Sequence, residues 1–433
     1  MGPRNFLSAV DEQALSEPVD PRFELPALAT RDVSRPVVFE SVAGYPGVRA
    51  VANLASSREL VATALDTDPA GIVGTVSAAM DDPLAVTETA PPAFEHVADD
   101  PDLDDHLPIP VYYNEHERQY FTASIVVARD PDTGVQNLSF HRLMYDGGNR
   151  LVMRLVERHL HDIFERTDGP LQVAVLLGVH PAVELAAATS FAPDASELEL
   201  ANRFLDGDLA TTETHGLELP SHAEVVMFGD VTEKTAEEGP FVDLSRTWDR
   251  TRQQPVLEIG ELWTRPEPLV RVLVPGQTEH AHLMGIPQEP RIYRVVENTV
   301  PTVQDVVLTP GGASWLHGVV QLDKRTEGDP KNAGMAALAA HPSMKKVTVV
   351  DDDVDPADPV EVEWATATRM QPHEDVTVVE NADGSSLDPS QDYDRGTTSK
   401  WIVDATVPDG GDRSGFEAAT VPGAEDVSLD EYR

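Results

Sequence analysis

One stretch of thirty-five residues, Asp132–Arg166, combines side chains that can bind an anion and a metal ion. It contains an amide at Asn137 and a guanidinium at Arg142, followed by two more arginines and two histidines: Arg154, Arg158, His159 and His161. Arginines and a helix N-terminus attract a phosphate, while an amide oxygen and an imidazole can ligate a divalent cation. On spacing alone, the commoner alternative is a solvated hairpin and helix whose Arg and His residues form surface ion pairs.

The same stretch has the pattern of strand, turn, strand and helix. The run VQNLSFHRLMY is apolar and β-compatible, and the DGGN that follows it tolerates the positive φ of a hairpin turn. A second strand is predicted over Arg150–Val156 and a helix over Glu157–Arg166. In an unbroken strand Asn137 and Arg142 face opposite sides, because they are five residues apart. Both can reach one site only if a bulge or a strand end lies between them.

Two acidic segments further along the chain add carboxylates. The first, residues 193–201, contains Glu197 and Glu199, and it also has the composition of an ordinary solvated helix start. The second is Glu237-Glu238-Gly239-Pro240-Phe241-Val242-Asp243, which otherwise reads as a simple turn. A third carboxylate run, Asp351–Asp355, follows a predicted strand and suggests either a cation site or a structural element. We interpret this third run as structural.

Composition limits the class of protein. The chain has 433 residues, enough for two or three domains, and 75 acidic residues against 32 basic ones give a net charge of −43. Because the hydrophobic fraction is 41%, we predict a folded protein with an acidic surface suited to high salt. The same charge argues against nucleic acid or an anionic membrane as the main partner.

The absence of cysteine excludes disulfides, thiolate metal sites and a cysteine nucleophile. No run of eighteen apolar residues occurs, and the N-terminus lacks a basic and hydrophobic signal. We therefore expect a soluble, cytoplasmic protein.

Periodicity divides the chain into three predicted domains. Residues 1–105 are predicted to be α/β, with a helix over Ser56–Leu65 whose Ser56 and Glu59 are spaced as a capping box. This part is predicted to end in a linker at residues 99–105. Its predicted strands are Pro36–Glu40 and Val48–Asn53.

Residues 106–295 are predicted to form a barrel-like β domain, because short strands alternate with turn signals. The predicted strands are Tyr120–Ala128, Gly134–Tyr145, Leu171–Val179, Ala223–Phe228, Pro255–Trp263 and Leu269–Val274.

Residues 296–433 are again predicted to be α/β, with buried strands at Val347–Val350 and Val376–Val379. Val360–Thr368 alternates as a strand would, although a helix is the other interpretation. The acidic end, Asp409–Arg433, is predicted to be poorly ordered or to wrap a partner subunit.

These segments together resemble the UbiD family of decarboxylases, which use prenylated FMN. In that family an Asn opens the metal-binding segment, an Arg follows five residues later, and a His lies on the next helix. A second segment supplies a Glu, and a Glu-Gly-Pro-aromatic-Gly-acid motif supplies two carboxylates. Val242 departs from the usual Gly, so positive φ is not expected there. Thr278-Glu279 and Gly285 match a pocket-lining segment. Residues 19–31 and 36–65 match the N-terminal domain of the family, and residues 399–400 and 404–406 match its C-terminal end.

The resemblance implies the role of each residue. It assigns catalysis to Arg142, Glu238 and Asp243, and metal binding to Asn137, Glu197 and His159, with His161 as the alternative histidine. It assigns cofactor binding to Phe140, His141, Arg142, Arg154, Leu155, Arg158 and His159. Asp243 is expected to donate a proton, and Arg142 and Glu238 to orient the substrate.

The resemblance also implies fold, cofactors and reaction. The expected fold is an N-terminal α/β domain, a central split β-barrel that binds the flavin, and a C-terminal α/β domain for oligomerisation. The expected reaction is non-oxidative decarboxylation of an unsaturated or aromatic acid, with Mn²⁺ or Mg²⁺ and K⁺ as cations.

An anhydromevalonate phosphate of isoprenoid synthesis is the first choice of substrate, and aromatic or polyprenyl-hydroxybenzoate acids of quinone synthesis are the alternative. A flavin-binding scaffold without activity is a further alternative. A flavin prenyltransferase is expected to supply the cofactor, and a homo-oligomer, either a dimer or a hexamer, is expected.

Overall fold

The computed structural model describes residues 1–113, 116–190, 195–408, 413–416, 418–419 and 421. Most of the acidic end Asp409–Arg433, and the first two residues of the segment 193–201, lie outside the described residues.

The described residues form three groups of strands and helices. The first group contains α1 (Pro3–Leu7), β1 (Gln13–Leu15), α2 (Glu24–Ala29), β2 (Val37–Phe39), β3 (Arg49–Ala52), α3 (Arg58–Ala64), α4 (Ile72–Asp81), β4 (Glu95–Asp99) and α5 (Leu103–His106). The second contains β5 (Tyr120–Phe121), β6 (Ile125–Arg129), β7 (Gln136–Phe140), β8 (Leu143–Tyr145), β9 (Arg150–Met153), α6 (His159–Arg166), β10 (Leu171–Leu177), α7 (Pro181–Ala188), α8 (Glu197–Phe204), β11 (Thr211–Thr214), β12 (Leu217–Pro220), β13 (Val225–Glu238), β14 (Phe241–Val242), β15 (Trp248–Asp249), β16 (Arg252–Thr264) and β17 (Leu269–Arg271). The third contains α9 (Thr278–Gly285), α10 (Glu289–Glu297), β18 (Val303–Leu308), β19 (His317–Leu322), α11 (Asp329–Ala340), β20 (Lys346–Asp351), α12 (Pro359–Arg369), α13 (Pro372–Asp375), β21 (Val376–Asp383) and β22 (Thr397–Asp404).

Three main sheets organise these elements. The first has the order β1-β2-β3-β17. The central sheet is antiparallel and has the order β5-β8-β9-β16-β13-β10-β6-β7, with β4 paired to β16. The C-terminal sheet is mixed and has the order β18-β19-β20-β22-β21. Register shifts in the long pair β13 and β16 help to curl the central sheet into a half-barrel. The predicted combination of α/β and β architecture is confirmed.

Both faces of the central sheet are buried. Along β10, Val173, Val175 and Leu177 belong to one apolar cluster. Ala174 and Leu176, which point the other way, belong to a second cluster that includes residues of α7 and α8. The sheet is therefore a rigid scaffold with helices packed over the face that carries the site.

The strand predicted over VQNLSFHRLMY is interrupted. β7 ends at Phe140 and β8 begins at Leu143, so His141 and Arg142 form the strand end that the five-residue spacing required. The strand predicted to reach Val156 ends at Met153, and the helix predicted from Glu157 begins at His159.

Two predictions for the N-terminal part are wrong. The α3 helix is capped by Ser57, whose side chain accepts the N–H of Leu60, because Ser56 instead donates to the carbonyl of Val33 at 2.6 Å. The predicted linker 99–105 contains the end of β4 and the start of α5, where Leu103 is fully buried.

Two strand predictions need correction. The run Leu269–Val274, grouped with the barrel strands, instead supplies β17 to the N-terminal sheet, parallel to β3. The run Val376–Val379 is a strand but not a buried one. It lies at the edge of its sheet, where Val378 is 58% exposed.

The two open questions in the C-terminal part have clear outcomes. Val360–Thr368 is helical, as part of α12. In the carboxylate run, Arg369 donates to Asp351 at 3.1 Å and to Asp353 at 2.9 and 2.7 Å. Arg413 donates to Asp352 at 3.0 Å. These contacts support the structural interpretation of the run.

A buried ion triad joins the N-terminal sheet to the helices beside the cavity. Arg271 of β17 donates to Glu184 of α7 at 2.8 and 3.1 Å and to Glu279 of α9 at 3.1 and 2.6 Å. Glu279 also accepts the backbone N–H groups of Asn53 at 2.9 Å and Ala55 at 2.8 Å. One guanidinium therefore fixes three elements to each other.

Candidate active site

A cavity of about 790 Å³ opens between the central sheet, helices α7 to α9 and the C-terminal part. Most of the residues singled out in the sequence line it: Asn137, Phe140, His141, Arg142, Arg154, Arg158, His159, Glu197 and Asp243. Its size lies within the usual range for a cofactor or substrate site.

Arg142 is the most heavily hydrogen-bonded side chain of this cavity. Its Nε and Nη2 donate to the two carboxylate oxygens of Glu238, each at 2.9 Å. Nη1 donates to Oδ2 of Asp243 at 3.0 Å, and Nη2 also donates to Oδ2 of Asp249 at 3.1 Å. The face of the guanidinium lies 4.2 Å from the centre of the Phe241 ring. The structure thus brings together all three residues assigned to catalysis.

Glu238 and Asp243 have different surroundings. Glu238 is fully buried and also accepts the hydroxyl of Tyr120 at 3.0 Å. Asp243 lines the cavity, its side chain is 21% exposed, and its Oδ1 accepts the N–H of Leu244 at 2.8 Å. Val242 between them lies in β14, without the positive φ of a glycine. Only Asp243 of this pair reaches the space where a ligand would bind.

Asn137 and Glu197 also lie together, although sixty residues separate them. The amide of Asn137 donates to Oε1 of Glu197 at 3.2 Å, and the N–H of Leu138 donates to Oε2 at 3.1 Å. Glu197 is 4% exposed, and burial raises its pKa to about 7. Glu197 is thus a buried carboxylate beside an amide, and no basic side chain among the described residues hydrogen-bonds it, which fits a divalent cation.

The two candidate histidines differ in position. His159, at the start of α6, lines the cavity. His161 does not line it, and its Nδ1 lies 3.8 Å from Oδ1 of Asp162. Within the described residues, no group of three or more His, Asp and Glu side chains is close enough to hold a metal ion by itself. Asn137, His159 and Glu197 all line the cavity, whereas His161 does not.

Of the remaining residues assigned to cofactor binding, His141, Arg154 and Arg158 line the cavity and Leu155 does not. His141 is buried, its Nδ1 lies 3.0 Å from the Arg154 carbonyl, and burial lowers its pKa to about 4. It is therefore a neutral imidazole. Arg154 and Arg158 line the cavity, and Nη1 of Arg154 donates to the carbonyl of Leu155 at 3.3 Å and to Oε1 of Gln254 at 3.4 Å. Leu155 does not line the cavity, since its side chain packs in the core below the sheet.

Sequence reasoning missed three residues at this site: Asp249, Arg252 and His280. Arg252 donates to both oxygens of Asp249 at 2.6 and 2.7 Å. His280 lines the cavity, its Nδ1 accepts the N–H of Gly276 at 3.1 Å, and desolvation lowers its pKa. The only signal for the first two was an Asp and an Arg three residues apart, which is common in an acidic protein. For His280 the signal was its position next to the matched Thr278-Glu279.

The family is clear from three consecutive matches. The N-terminal domain of 3-octaprenyl-4-hydroxybenzoate carboxy-lyase matches residues 11–80, its Rift-related domain residues 85–278, and its C-terminal domain residues 281–405. Together these matches cover most of the chain. The protein belongs to the UbiD family, and it is a decarboxylase.

Individual relatives and solved structures show which members of the family this chain resembles. The chain is 41% identical to an anhydromevalonate phosphate decarboxylase of Methanothermobacter thermautotrophicus over 413 residues, which cover 94% of this chain and 96% of that protein. A protein of the same name from Methanocaldococcus jannaschii is 45% identical over 332 residues, which cover 76% of this chain and 78% of that protein. The structure of the UbiD-class enzyme HmfF from Pelotomaculum thermopropionicum in complex with FMN has a TM-score of 0.94 and 35% identity over 100% of both chains. An evolved dimeric form of HmfF in complex with prFMN has a TM-score of 0.90 and 34% identity, again over 100% of both chains.

Proposed function

We propose that the protein decarboxylates trans-anhydromevalonate 5-phosphate, a small unsaturated acid of isoprenoid synthesis. Its cofactors would be prenylated FMN and a divalent metal ion, Mn²⁺ or Mg²⁺, with K⁺ as a further cation. The single observation that carries the proposal is that one cavity contains both Arg142 with Asp243 and the Asn137–Glu197 pair. The first set can orient and protonate an acid, and the second can hold a metal ion.

The charge of the cavity supports an anionic cofactor and an anionic substrate. Four arginines line it, Arg142, Arg154, Arg158 and Arg252, against three acids, Glu197, Asp243 and Asp249. The whole chain has the opposite balance, with 75 acidic and 32 basic residues. Arg142 and Arg252 are paired with carboxylates, so Arg154 and Arg158 are the lining guanidinium groups that suit a phosphate.

The cofactor fits the residues as follows. Asn137, His159 and Glu197 would hold the metal ion, and Arg154 and Arg158 would hold the phosphate. Phe140 and His141 lie on the strand end between these groups and Arg142. Residues 137 and 142 are separated by at most about 17 Å of extended chain, which suits a flavin with its phosphate at one end and its ring at the other. When bound, the prenylated flavin supplies the electron sink for decarboxylation.

The protein's own residues position the acid and supply a proton. Glu238, which accepts the hydroxyl of Tyr120, holds Arg142 from behind, so that the outer edge of the guanidinium faces the cavity. Arg142 then orients the carboxylate of the substrate. Asp243, which accepts a hydrogen bond from Nη1 of Arg142 and is 21% exposed, would take up a proton from solvent and pass it to the carbon from which carbon dioxide has left.

The relatives and the cavity lining favour the phosphorylated substrate over an aromatic or polyprenyl acid. Two relatives that match most of this chain are anhydromevalonate phosphate decarboxylases. The cavity also has arginines beside its apolar residues, and these can bind the phosphate that an aromatic acid lacks.

The decisive experiment is decarboxylation by protein produced together with a flavin prenyltransferase. Absorbance and mass spectra should show the modified flavin, and carbon dioxide should be released from trans-anhydromevalonate 5-phosphate in the presence of Mn²⁺. Release from an aromatic acid alone would favour the quinone-synthesis alternative. Flavin bound without any release of carbon dioxide would favour the inactive scaffold.

The setting that we propose is a cytoplasm at high salt, a flavin prenyltransferase as the source of cofactor, and a homo-oligomer, either a dimer or a hexamer. The acidic composition supports the first of these, and a dimeric form is known for one structural relative. Within the described residues, no helix has the length and apolar character needed to cross a bilayer.

A further inference from the structure

We propose that Asp249, held in place by Arg252, is a positioning residue for Arg142. In this role it occupies one donor of the guanidinium and leaves a single N–H, beside Asp243, for the carboxylate of the substrate. The inference rests on the proposed function, because it assumes that Arg142 receives a carboxylic acid.

The donors of Arg142 can be counted one by one. A guanidinium has five N–H groups: one on Nε and two on each terminal nitrogen. Nε and one N–H of Nη2 bind Glu238, and the other N–H of Nη2 binds Asp249 at 3.1 Å. One N–H of Nη1 binds Asp243 at 3.0 Å. The single remaining N–H is therefore on Nη1, the nitrogen that already contacts the proposed proton donor.

Asp249 is itself firmly held. Arg252 donates to its Oδ2 at 2.6 Å and to its Oδ1 at 2.7 Å, and the N–H of Arg250 donates to Oδ1 at 2.9 Å. Asp249 also pairs across β14 and β15 with Phe241, whose ring contacts the face of Arg142. The edge and the face of the guanidinium are thus both fixed by this short strand pair.

The charges around Arg142 explain why Asp249 forms an ion pair with a second arginine, Arg252. Arg142 already contacts two other carboxylates, Glu238 and Asp243, so a third unpaired charge would repel the incoming acid. Arg252 cancels the charge of Asp249, and the pair directs Arg142 without adding net charge. Its contribution is therefore orientation. Without Asp249, a donor on Nη2 becomes free and the substrate carboxylate can bind in a second position, away from Asp243.

The test uses the holoenzyme with prenylated flavin and trans-anhydromevalonate 5-phosphate. Asp249→Leu, which removes both acceptor oxygens, and Arg252→Gln should each lower kcat by roughly 10- to 100-fold, within what misplacing a substrate by about 1 Å can cause. KM and flavin content should stay close to the wild-type values, because binding groups remain. The double variant should be no worse than the poorer single variant, because the two residues act as one unit.

A matched control separates positioning from stability. Arg4→Gln breaks the Arg4–Glu224 ion pair, whose carboxylate is fully buried and which does not line the cavity. It should lower Tm without changing kcat. The inference is overturned if Asp249→Leu keeps kcat within about 2-fold of wild type, or if its loss of kcat only follows a loss of flavin or of Tm. If the wild-type holoenzyme releases no carbon dioxide, the proposed function fails and this inference fails with it. A fully active Asp249→Leu enzyme refutes the inference alone.

Discussion

Replacing Arg271 by methionine should destabilise the protein strongly. Arg271 is 2% exposed, and its guanidinium donates two hydrogen bonds to each of two buried carboxylates, those of Glu184 and Glu279. Methionine has a similar length and no charge, so Arg271→Met removes these bonds while it retains most of the packing. Removing one partner of a buried ion pair typically costs about 3–5 kcal/mol.

The structure indicates which carboxylate is left without hydrogen bonds when Arg271 is replaced. Glu279 keeps the two backbone N–H groups of Asn53 and Ala55, whereas Glu184 loses both of its hydrogen bonds. Burial already raises the pKa of Glu184, and loss of Arg271 removes the charge that opposes this rise. Glu184 then takes up a proton instead of remaining an unpaired buried charge. Protonating at pH 7 a carboxyl whose ordinary value is 4.5 costs about 3.4 kcal/mol, at ~1.36 kcal/mol per pKa unit.

The stability that Arg271→Met loses relative to wild type should increase as pH rises. Because the folded pKa of Glu184 lies above its unfolded value, the folded state is not penalised below about 4.5, and stability falls as pH rises toward the folded pKa. Urea denaturation in molar potassium chloride at pH 5 and pH 8 would measure this. The deficit of Arg271→Met relative to wild type should be small at pH 5 and large at pH 8. Adding Glu184→Gln should restore part of the lost stability and reduce its dependence on pH.

Three results would refute this reasoning. The first is a loss of unfolding free energy below about 1 kcal/mol at pH 8, and the second is an equal loss at pH 5 and pH 8. The third is further destabilisation by Glu184→Gln in the Arg271→Met background.

Three further predictions concern the site and the surface. Asp243→Asn should keep fold and flavin but lower turnover by roughly 10²–10⁴-fold, the usual effect of a positioned acid, and near-normal turnover with flavin fully bound would remove Asp243 from the mechanism. Mn²⁺ should raise the Tm of the wild-type protein and Glu197→Gln should abolish that rise, whereas an undiminished rise in the variant would place the metal elsewhere. With a net charge of −43, the protein should have a much higher Tm in molar potassium chloride than in dilute buffer, and equal midpoints would show that the acidic surface has another cause.

Much of the site could be predicted from patterns within short segments of the sequence. The odd spacing of Asn137 and Arg142 required a break in the strand, and the break lies at His141–Arg142. This inference succeeded because side-chain alternation along a strand is a local property. The predicted Asp146–Asn149 turn also lies where β8 and β9 meet, with Gly147 at φ 92° and Gly148 at φ 61°.

Long-range pairing determined what the sequence did not predict. Ser56 and Ser57 are equally good caps by composition, and Ser57 caps α3 because Ser56 hydrogen-bonds Val33 in another segment. Asp249 gave no signal of its own, since its contact with Arg142 spans 107 residues. Such contacts depend on tertiary packing, which periodicity does not report.

The position of β17 affects how the chain is made. The N-terminal sheet takes its fourth strand from Leu269–Arg271, and the preceding strand of that sheet ends at Ala52. At ~5–20 residues per second, translation needs on the order of tens of seconds to cover this interval. During that time β3 has an unpaired edge, and Glu279 has not yet been made to join Asn53. A nascent chain stalled before residue 269 would therefore expose that edge to other chains, and a fragment cut there should aggregate.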